Sequence, residues 1–183
     1  VGGDNGMGEK LSTLELYDPQ AASWTQRAAM VGPRSSFGCT ALAGKLYAVG
    51  GFGAGSQRID TAEVYDPQTD GWQPLAKMGT ARGALGLAAV GGKIYAIGGY
   101  GGNAVLDSVE AYDPQLGAWA LAASMSKKRW RHASVVLDGK IYTICGYGDG
   151  ILDKVEVYDP QADSWQQAAS MPRGLYSHAA AAM

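Results

Sequence analysis

The chain has 183 residues, of which 46% are hydrophobic and 17% charged, and its formal net charge is −2 at pH 7. This length fits one domain or part of one. So small a charge gives no field that would attract nucleic acid or an anionic membrane, so we expect neither as a partner. No apolar run approaches the roughly 18 residues of a membrane helix. We interpret Cys39 and Cys145, which sit at unrelated repeat positions, as reduced thiols, which favours an intracellular, cytoplasmic protein.

One short motif recurs four times at nearly constant spacing. The sequence Tyr-Asp-Pro-Gln begins at Tyr17, Tyr65, Tyr112 and Tyr158, in steps of 48, 47 and 46 residues. A Trp follows each Tyr by seven residues and a Met follows each Trp by six, while a pair of glycines, or Cys-Gly in the last copy, lies upstream. Self-similarity at a fixed period indicates units that cannot bury their apolar faces alone and must stack on their neighbours.

Each repeat predicts four antiparallel strands, lettered A to D. Strand A is a short apolar run bounded by glycines, and Gly91-Gly92 between strands A and B is a hairpin signal. Strand C alternates polar and apolar residues, and the Asp-Pro turn that follows it leads into strand D. In the unit 82–125 these strands are A (83–90), B (93–97), C (108–112) and D (118–121).

The glycine pair, the Tyr-Asp-Pro turn and the Trp seven residues after the Tyr resemble the kelch repeat, and the resemblance covers essentially the whole chain. It implies an all-β, kelch-type β-propeller in which each repeat forms a four-stranded blade around a central channel. We expect one domain that is part of a larger, six-bladed ring, with a closed four-bladed ring as the alternative. The expected repeats are approximately 1–30 (strands B to D only), 31–78, 79–125, 126–171 and 172–183 (strand A only).

The last of these repeats rests on register. His178 follows Met171 by seven residues, as His132 follows Met125. On this alignment Ala179–Met183 corresponds to strand A of the preceding repeat, although its alanines favour a helix by propensity alone.

Arginine occupies one slot in three repeats. Arg34, Arg82 and Arg129 each stand 16 residues before the first position of the glycine pair, in the loop from strand D to the next strand A, and Leu175 takes this slot in the fourth copy. The resemblance implies that these loops, with the loops after the glycine pairs, line one face around the channel, where arginines can bind carboxylate or phosphate groups. The alternative is a repeated structural residue that pairs with neighbouring blades.

Aromatic residues follow the glycine pairs and are predicted on the same rim. Trp130 is the one Trp outside the repeat position, within the only basic cluster of the chain. Aromatic and arginine residues are typical binding hot spots; the alternative for Trp130 is a residue that caps the channel or packs on an arginine. The predicted partner-binding residues are therefore Arg34, Ser35, Phe52, Arg82, Tyr100, Arg129, Trp130, Arg131, Tyr147 and Tyr176.

Catalysis is not expected. The only two histidines, His132 and His178, fall short of the three or four ligands of a metal site, and neither cysteine has an evident histidine–acid partner set. We therefore expect no metal and no cofactor. The glutamates at one strand-C position are interpreted as scaffold because every repeat has one: Glu15, Glu63, Glu110 and Glu156.

These observations predict a protein-interaction module whose loop face binds a partner protein or peptide, one with an acidic segment. The resemblance to kelch domains implies one setting, the substrate receptor of a cullin-type ubiquitin ligase. The alternative is a rigid scaffold component of a cytoskeletal or other large assembly. Both settings rest on the fold family alone.

Overall fold

The computed structural model describes every residue from Val1 to Met183. Strands dominate it, and the only helical segment is a 3₁₀ turn at Ala54–Ser56. This segment is far too short to cross a membrane. The strands are β1 (Gly3–Asp4), β2 (Lys10–Leu11), β3 (Leu14–Asp18), β4 (Ser23–Arg27), β5 (Gly38–Leu42), β6 (Lys45–Val49), β7 (Ala62–Asp66), β8 (Gly71–Pro74), β9 (Gly86–Val90), β10 (Lys93–Ile97), β11 (Tyr100–Gly101), β12 (Ala104–Val105), β13 (Val109–Asp113), β14 (Ala118–Ala122), β15 (Ala133–Leu137), β16 (Lys140–Ile144), β17 (Val155–Asp159) and β18 (Ser164–Gln167).

The strands form successive antiparallel sheets that follow the repeats. Blade 1 has two strands, β3 and β4, whereas the next three blades have four strands each in the order A-B-C-D. Blade 2 is β5–β8, blade 3 is β9, β10, β13 and β14, and blade 4 is β15–β18. The short hairpins β1–β2 and β11–β12 lie in the loops that follow a glycine pair.

The A–B hairpins show how local sequence sets the blade register. Gly91 and Gly92 have φ values of 59° and 74°, as a two-residue type I′ turn requires and as glycine adopts without steric cost. Val90 pairs directly with Lys93 across this turn. The hairpin predicted from the glycine pair is therefore present.

The apolar core lies between neighbouring blades rather than within one of them. Tyr95, Ile97 and Val109 of blade 3 pack against Ile141 and Tyr158 of blade 4 in one continuous buried cluster. A second cluster joins blades 2 and 3 through Val49, Ala62, Met78, Leu85 and Ala96. Because each blade contributes one face to each cluster, a blade is stabilised mainly by its neighbours.

In blades 2, 3 and 4 the repeated tryptophan is hydrogen-bonded to the blade before it. The indole N–H of Trp119 donates to the carbonyl oxygen of Ala76 over 2.8 Å, and Trp165 donates to Ala123 over the same distance. The Met six residues after the Trp is buried in the first three repeats. These contacts show that the Trp residues of blades 2 to 4 hold neighbouring blades together.

The chain from Ala179 to Met183 differs from expectation. Register predicted a strand A there, but the segment is not a strand and pairs with no other segment. A strand A is held by its hydrogen bonds to strand B, and no strand B lies beside this segment. The assignment of this segment as the strand A of a further repeat therefore stays a prediction.

Candidate functional site

The arginines of the shared slot are buried structural residues, each exposing 1% of its surface or less. Arg82 shows the pattern. One Nη atom lies 2.7 Å from a carboxylate oxygen of Glu110, and the other donates to the carbonyl oxygens of Gly98 and Ser108, both over 2.9 Å. The same arrangement joins Arg34 to Glu63 and Arg129 to Glu156.

The glutamate of this pair also holds the loop that carries the arginine. Glu110 accepts hydrogen bonds from the backbone N–H groups of Gly79 and Thr80, over 2.6 and 3.1 Å. Burial lowers the pKa of Arg82, and the carboxylate of Glu110 opposes that shift. The arginine–glutamate pair therefore attaches the loop that leads into strand A to strand C of the same blade.

These contacts correct the expectation that Arg34, Arg82 and Arg129 bind a partner. Their guanidinium groups point into the blade, bind carboxylates of the same chain and are inaccessible from the surface. Ser35 is also buried, at 7% exposure. The alternative of a repeated structural arginine fits the geometry, although its partner belongs to the same blade and not to a neighbour.

The remaining predicted residues come together on the rim. Tyr100 and Trp130 have ring centroids 5.4 Å apart, Trp130 and Tyr147 are 6.5 Å apart, and Tyr147 and Tyr176 are 6.0 Å apart. Such separations are those of interacting aromatic pairs. We call Phe52, Tyr100, Trp130, Tyr147 and Tyr176 the aromatic row.

An arginine that the sequence analysis missed completes this row. The guanidinium carbon of Arg58 lies 4.6 Å from the ring centroid of Tyr100 and 5.9 Å from that of Phe52. Arg58 stands opposite Phe52 in the small bridge that closes the loop between β6 and β7. This loop differs in length between repeats, so no recurring slot marked the residue, and only its place across from an aromatic could have pointed to it.

Backbone bridges hold the aromatic row in place. Phe52 exchanges two backbone hydrogen bonds with Ser35, over 2.8 and 3.0 Å, and Tyr100 does the same with Gly83. Trp130 occupies the slot of Ser35 and Gly83 in the next blade and is bonded likewise to Tyr147. Each bridge joins a D–A loop to a B–C loop, so four of the five rings, those of Phe52, Tyr100, Trp130 and Tyr147, are carried on paired backbone.

Arg131 lies where the aromatic row meets the central channel. Its guanidinium carbon is 4.3 Å from the ring centroid of Trp130. A cavity of about 170 Å³ lies between these two residues, Tyr147 and Tyr176. Tyr147 and Tyr176 are 40% and 46% exposed, so this cavity can be reached from outside.

A series of three backbone hydrogen bonds, which we call the belt, links equivalent residues of successive repeats beside the channel. The N–H of Ala84 donates to the carbonyl of Ser36 over 2.7 Å, that of Arg131 to Ala84 over 2.8 Å, and that of Ser177 to Arg131 over 2.8 Å. These four residues share one repeat position, and each has a φ near 50°. A left-handed backbone is costly for residues other than glycine, and here the belt maintains it.

Comparison with known proteins now identifies the family. Residues 1–183 match the family model described as the KLHDC2/KLHL20/DRC7 Kelch-repeats domain. The chain belongs to the kelch-repeat family. The predicted all-β kelch-type propeller is thereby confirmed, while the six-bladed ring stays a prediction.

Curated kelch proteins match over short stretches. Kelch-like protein 7 of Rattus norvegicus is 41% identical over 49 residues, which cover 27% of this chain and 8% of that protein. The F-box/kelch-repeat protein At1g67480 of Arabidopsis thaliana is 43% identical over 51 residues, or 28% of this chain and 14% of that protein. The matched region is thus a small part of the length of these relatives.

A solved structure agrees with the kelch fold. The solved structure of YjhT superposes with a TM-score of 0.79 at 22% identity, covering 90% of this chain and 62% of that chain. At this identity the likeness shows the fold alone. The propeller architecture described above is therefore shared with an independently solved protein.

Proposed function

We propose that this kelch domain is a protein-interaction module whose aromatic row, with Arg58 and Arg131, binds an extended segment of a partner protein. The observation that carries the proposal is the continuity of the row, in which five rings and two guanidinium groups follow one another across blades 2 to 4. Rigid aromatic side chains offer a large contact area at small entropic cost, and Trp, Tyr and Arg dominate binding hot spots.

The charges of the row favour an acidic partner. Neither Arg58 nor Arg131 forms an ion pair with a carboxylate of this chain, whereas ten other cation–carboxylate pairs are present. A guanidinium stacked on a ring keeps the N–H groups at its edge free to bind a carboxylate in two places. We therefore propose that acidic side chains of the partner bind these two arginines.

The cellular setting that we propose is the substrate receptor of a cullin-type ubiquitin ligase. Kelch-repeat domains generally mediate protein–protein interaction, and the matched relatives carry the names Kelch-like protein 7 and F-box/kelch-repeat protein. The two free cysteines support a reduced, cytoplasmic location. The second candidate is a rigid scaffold component, which the buried arginine–glutamate pair in each four-stranded blade favours.

Selection of random peptides displayed on phage tests the binding face directly, because it requires no purified partner. We expect the wild-type domain to enrich sequences that combine acidic and apolar residues. Trp130→Ala and Arg58→Ala should weaken binding of a selected peptide by about 10- to 100-fold, in the range of hot-spot substitutions. Trp24→Ala is the matched control, because this Trp is 70% exposed and lies on blade 1, away from the row.

Two results would count against this proposal. If Trp24→Ala lowers peptide affinity while Trp130→Ala and Arg58→Ala do not, the binding face lies elsewhere. If basic peptides are enriched, the charge assignment is wrong. Affinity purification with the same variants then separates the two settings, since a ligase receptor should recover cullin peptides together with a partner that Trp130→Ala alone loses.

A further inference from the structure

The four residues of the belt help to line a second cavity in the channel, and no ring of the aromatic row contributes to it. Its volume is about 440 Å³, within the range of small-molecule sites. Its polar lining comes from Ser36, Arg131, His132, Ser177 and His178. A neighbouring space of about 430 Å³ continues along the strand-A ends and shares both histidines.

His132 is the most deeply buried polar group of this lining. It exposes 7% of its surface, and both of its ring nitrogens are buried without a hydrogen-bond partner. The ring nitrogens of His178 and the hydroxyl of Ser134 lack partners in the same way. Buried polar atoms in proteins are nearly always paired, so this group of unpaired donors and acceptors points to a ligand.

The lining also sets the sign of the ligand's charge. No Asp or Glu lines either cavity, and Arg131 is the only side chain of fixed charge in them. The charge of Arg129, near His132, is already paired with Glu156, and Phe37 and Cys39 add uncharged lining. An anion would therefore meet one guanidinium and two imidazoles with no opposing carboxylate.

Binding of an anion would change the protonation of His132. Burial lowers its pKa to about 3, and the charges of Arg129 and His178 act in the same direction. A bound anion would favour the imidazolium form and raise that pKa. Anion binding and proton uptake at His132 would thus be coupled.

We propose that the channel binds a small oxyanion, a carboxylate or a phosphate, between Arg131, His132 and His178, with the hydroxyls of Ser36 and Ser177 as further donors. This site is separate from the partner-binding face: the ligand is a free small molecule, and only Arg131 is common to both.

Imidazole NMR spectra offer a direct test because the chain has only two histidines. Inorganic phosphate and, separately, acetate are titrated into ¹⁵N-labelled protein at constant ionic strength, with chloride as the control salt. We expect saturable shifts of both imidazoles and a raised pKa of His132 with phosphate but not with chloride. His178→Gln and Arg131→Gln should each weaken binding by about tenfold or more, as for loss of a charge-assisted hydrogen bond.

Control variants separate this proposal from the preceding one. Arg58→Ala removes a charge of the aromatic row and should leave phosphate binding unchanged. A short glutamate-containing peptide forms a further arm of the titration. If only the peptide shifts the imidazoles, and Arg58→Ala abolishes that shift, the channel belongs to the partner-binding face and the proposal of a free oxyanion is overturned.

The proposal also fails if phosphate and acetate give no saturable shift, or if His178→Gln and Arg131→Gln bind phosphate as well as the wild type does. Arg131 has a left-handed backbone, so circular dichroism and thermal unfolding must show that Arg131→Gln is folded. His178 is only half-buried, so His178→Gln still tests the proposal if Arg131→Gln does not fold.

Discussion

The indole N–H of Trp72 donates a 2.9 Å hydrogen bond to the backbone carbonyl of Ala28, a residue of the preceding repeat. Trp119 in blade 3 and Trp165 in blade 4 make the equivalent contact. Trp24 occupies the same repeat position but makes no such hydrogen bond in this structure, and it is 70% exposed. The chain therefore contains its own control for the contribution of this contact.

Substitution of Trp72 should destabilise the domain far more than substitution of Trp24. Trp72→Ala removes a ring that packs on Tyr65, with centroids 5.3 Å apart, and leaves the Ala28 carbonyl unpaired, so we expect a loss of about 3–5 kcal/mol in the free energy of unfolding. Trp24→Ala should cost less than about 1 kcal/mol, as for exposed positions. Urea unfolding measures both, and equal losses would refute the inter-blade role.

Substitution of Arg82 should lower stability and leave the aromatic row intact. Arg82→Ala leaves the buried carboxylate of Glu110 without its partner. Removal of one partner from a buried ion pair typically lowers the free energy of unfolding by about 3–5 kcal/mol. Lys93→Ala is the control, since Lys93 pairs with Asp113 at the surface, and such pairs contribute about 0–1 kcal/mol. If Arg82→Ala melts like the wild type but loses peptide binding, the arginine slot would be a contact site after all.

Two glycines with similar backbone angles should respond differently to the same substitution. Gly98 and Gly91 have φ values of 54° and 59°, so alanine strains either position by about 1–2 kcal/mol. A Cβ atom at Gly98 would also lie 2.6 Å from the carbonyl oxygen of Arg129, whereas nothing lies within 4 Å at Gly91. Gly98→Ala should therefore cost about 1–3 kcal/mol more than Gly91→Ala in thermal unfolding.

Stability should fall with pH in a window set by His132. Its pKa is about 3 in the folded chain and about 6.5 when unfolded. Above the unfolded pKa both states hold the neutral ring, so His132 contributes no pH dependence there. As the pH falls from about 6.5 towards 3, only the unfolded chain takes up this proton, which lowers stability by up to about 1.4 kcal/mol per pH unit.

Urea unfolding of the wild type and His132→Gln isolates this contribution. The measurements belong between about pH 6.5 and 5, above the range in which ordinary carboxylates titrate. The wild type should lose stability more steeply than the variant as the pH falls, in buffer without phosphate. Parallel slopes would show that His132 binds its proton equally well in the folded chain.

Local chemistry explains why the blades could be predicted. The turns depend on glycines and Asp-Pro at fixed offsets, and the strands depend on short apolar runs, so both are visible within about ten residues. The row residues Tyr100, Trp130 and Tyr147 could also be placed, because loops at one end of successive blades share one face. Arg58 was missed since its loop has no constant length from repeat to repeat.

The burial of the repeated arginines, in contrast, could not be predicted from local sequence. The sequence places Arg82 and Glu110, like their equivalents, 27 to 29 residues apart in three repeats. This nearly constant spacing between arginine and glutamate indicates a pair inside each blade. Neither the arginine positions nor the glutamate positions reveal that pair on their own. Whether an arginine on a loop points to solvent or into the blade depends on carbonyl and carboxylate acceptors that only the folded arrangement brings together.

The belt around the channel has a further consequence for how this domain can change. Each of its links is a single hydrogen bond between backbone atoms, so no link requires a particular side chain at that position. The chain already places serine, alanine, arginine and serine there. Any residue that tolerates a left-handed backbone can therefore replace these side chains without loss of a hydrogen bond of the belt, so natural variation or a designed library can change the binding surface at the channel mouth.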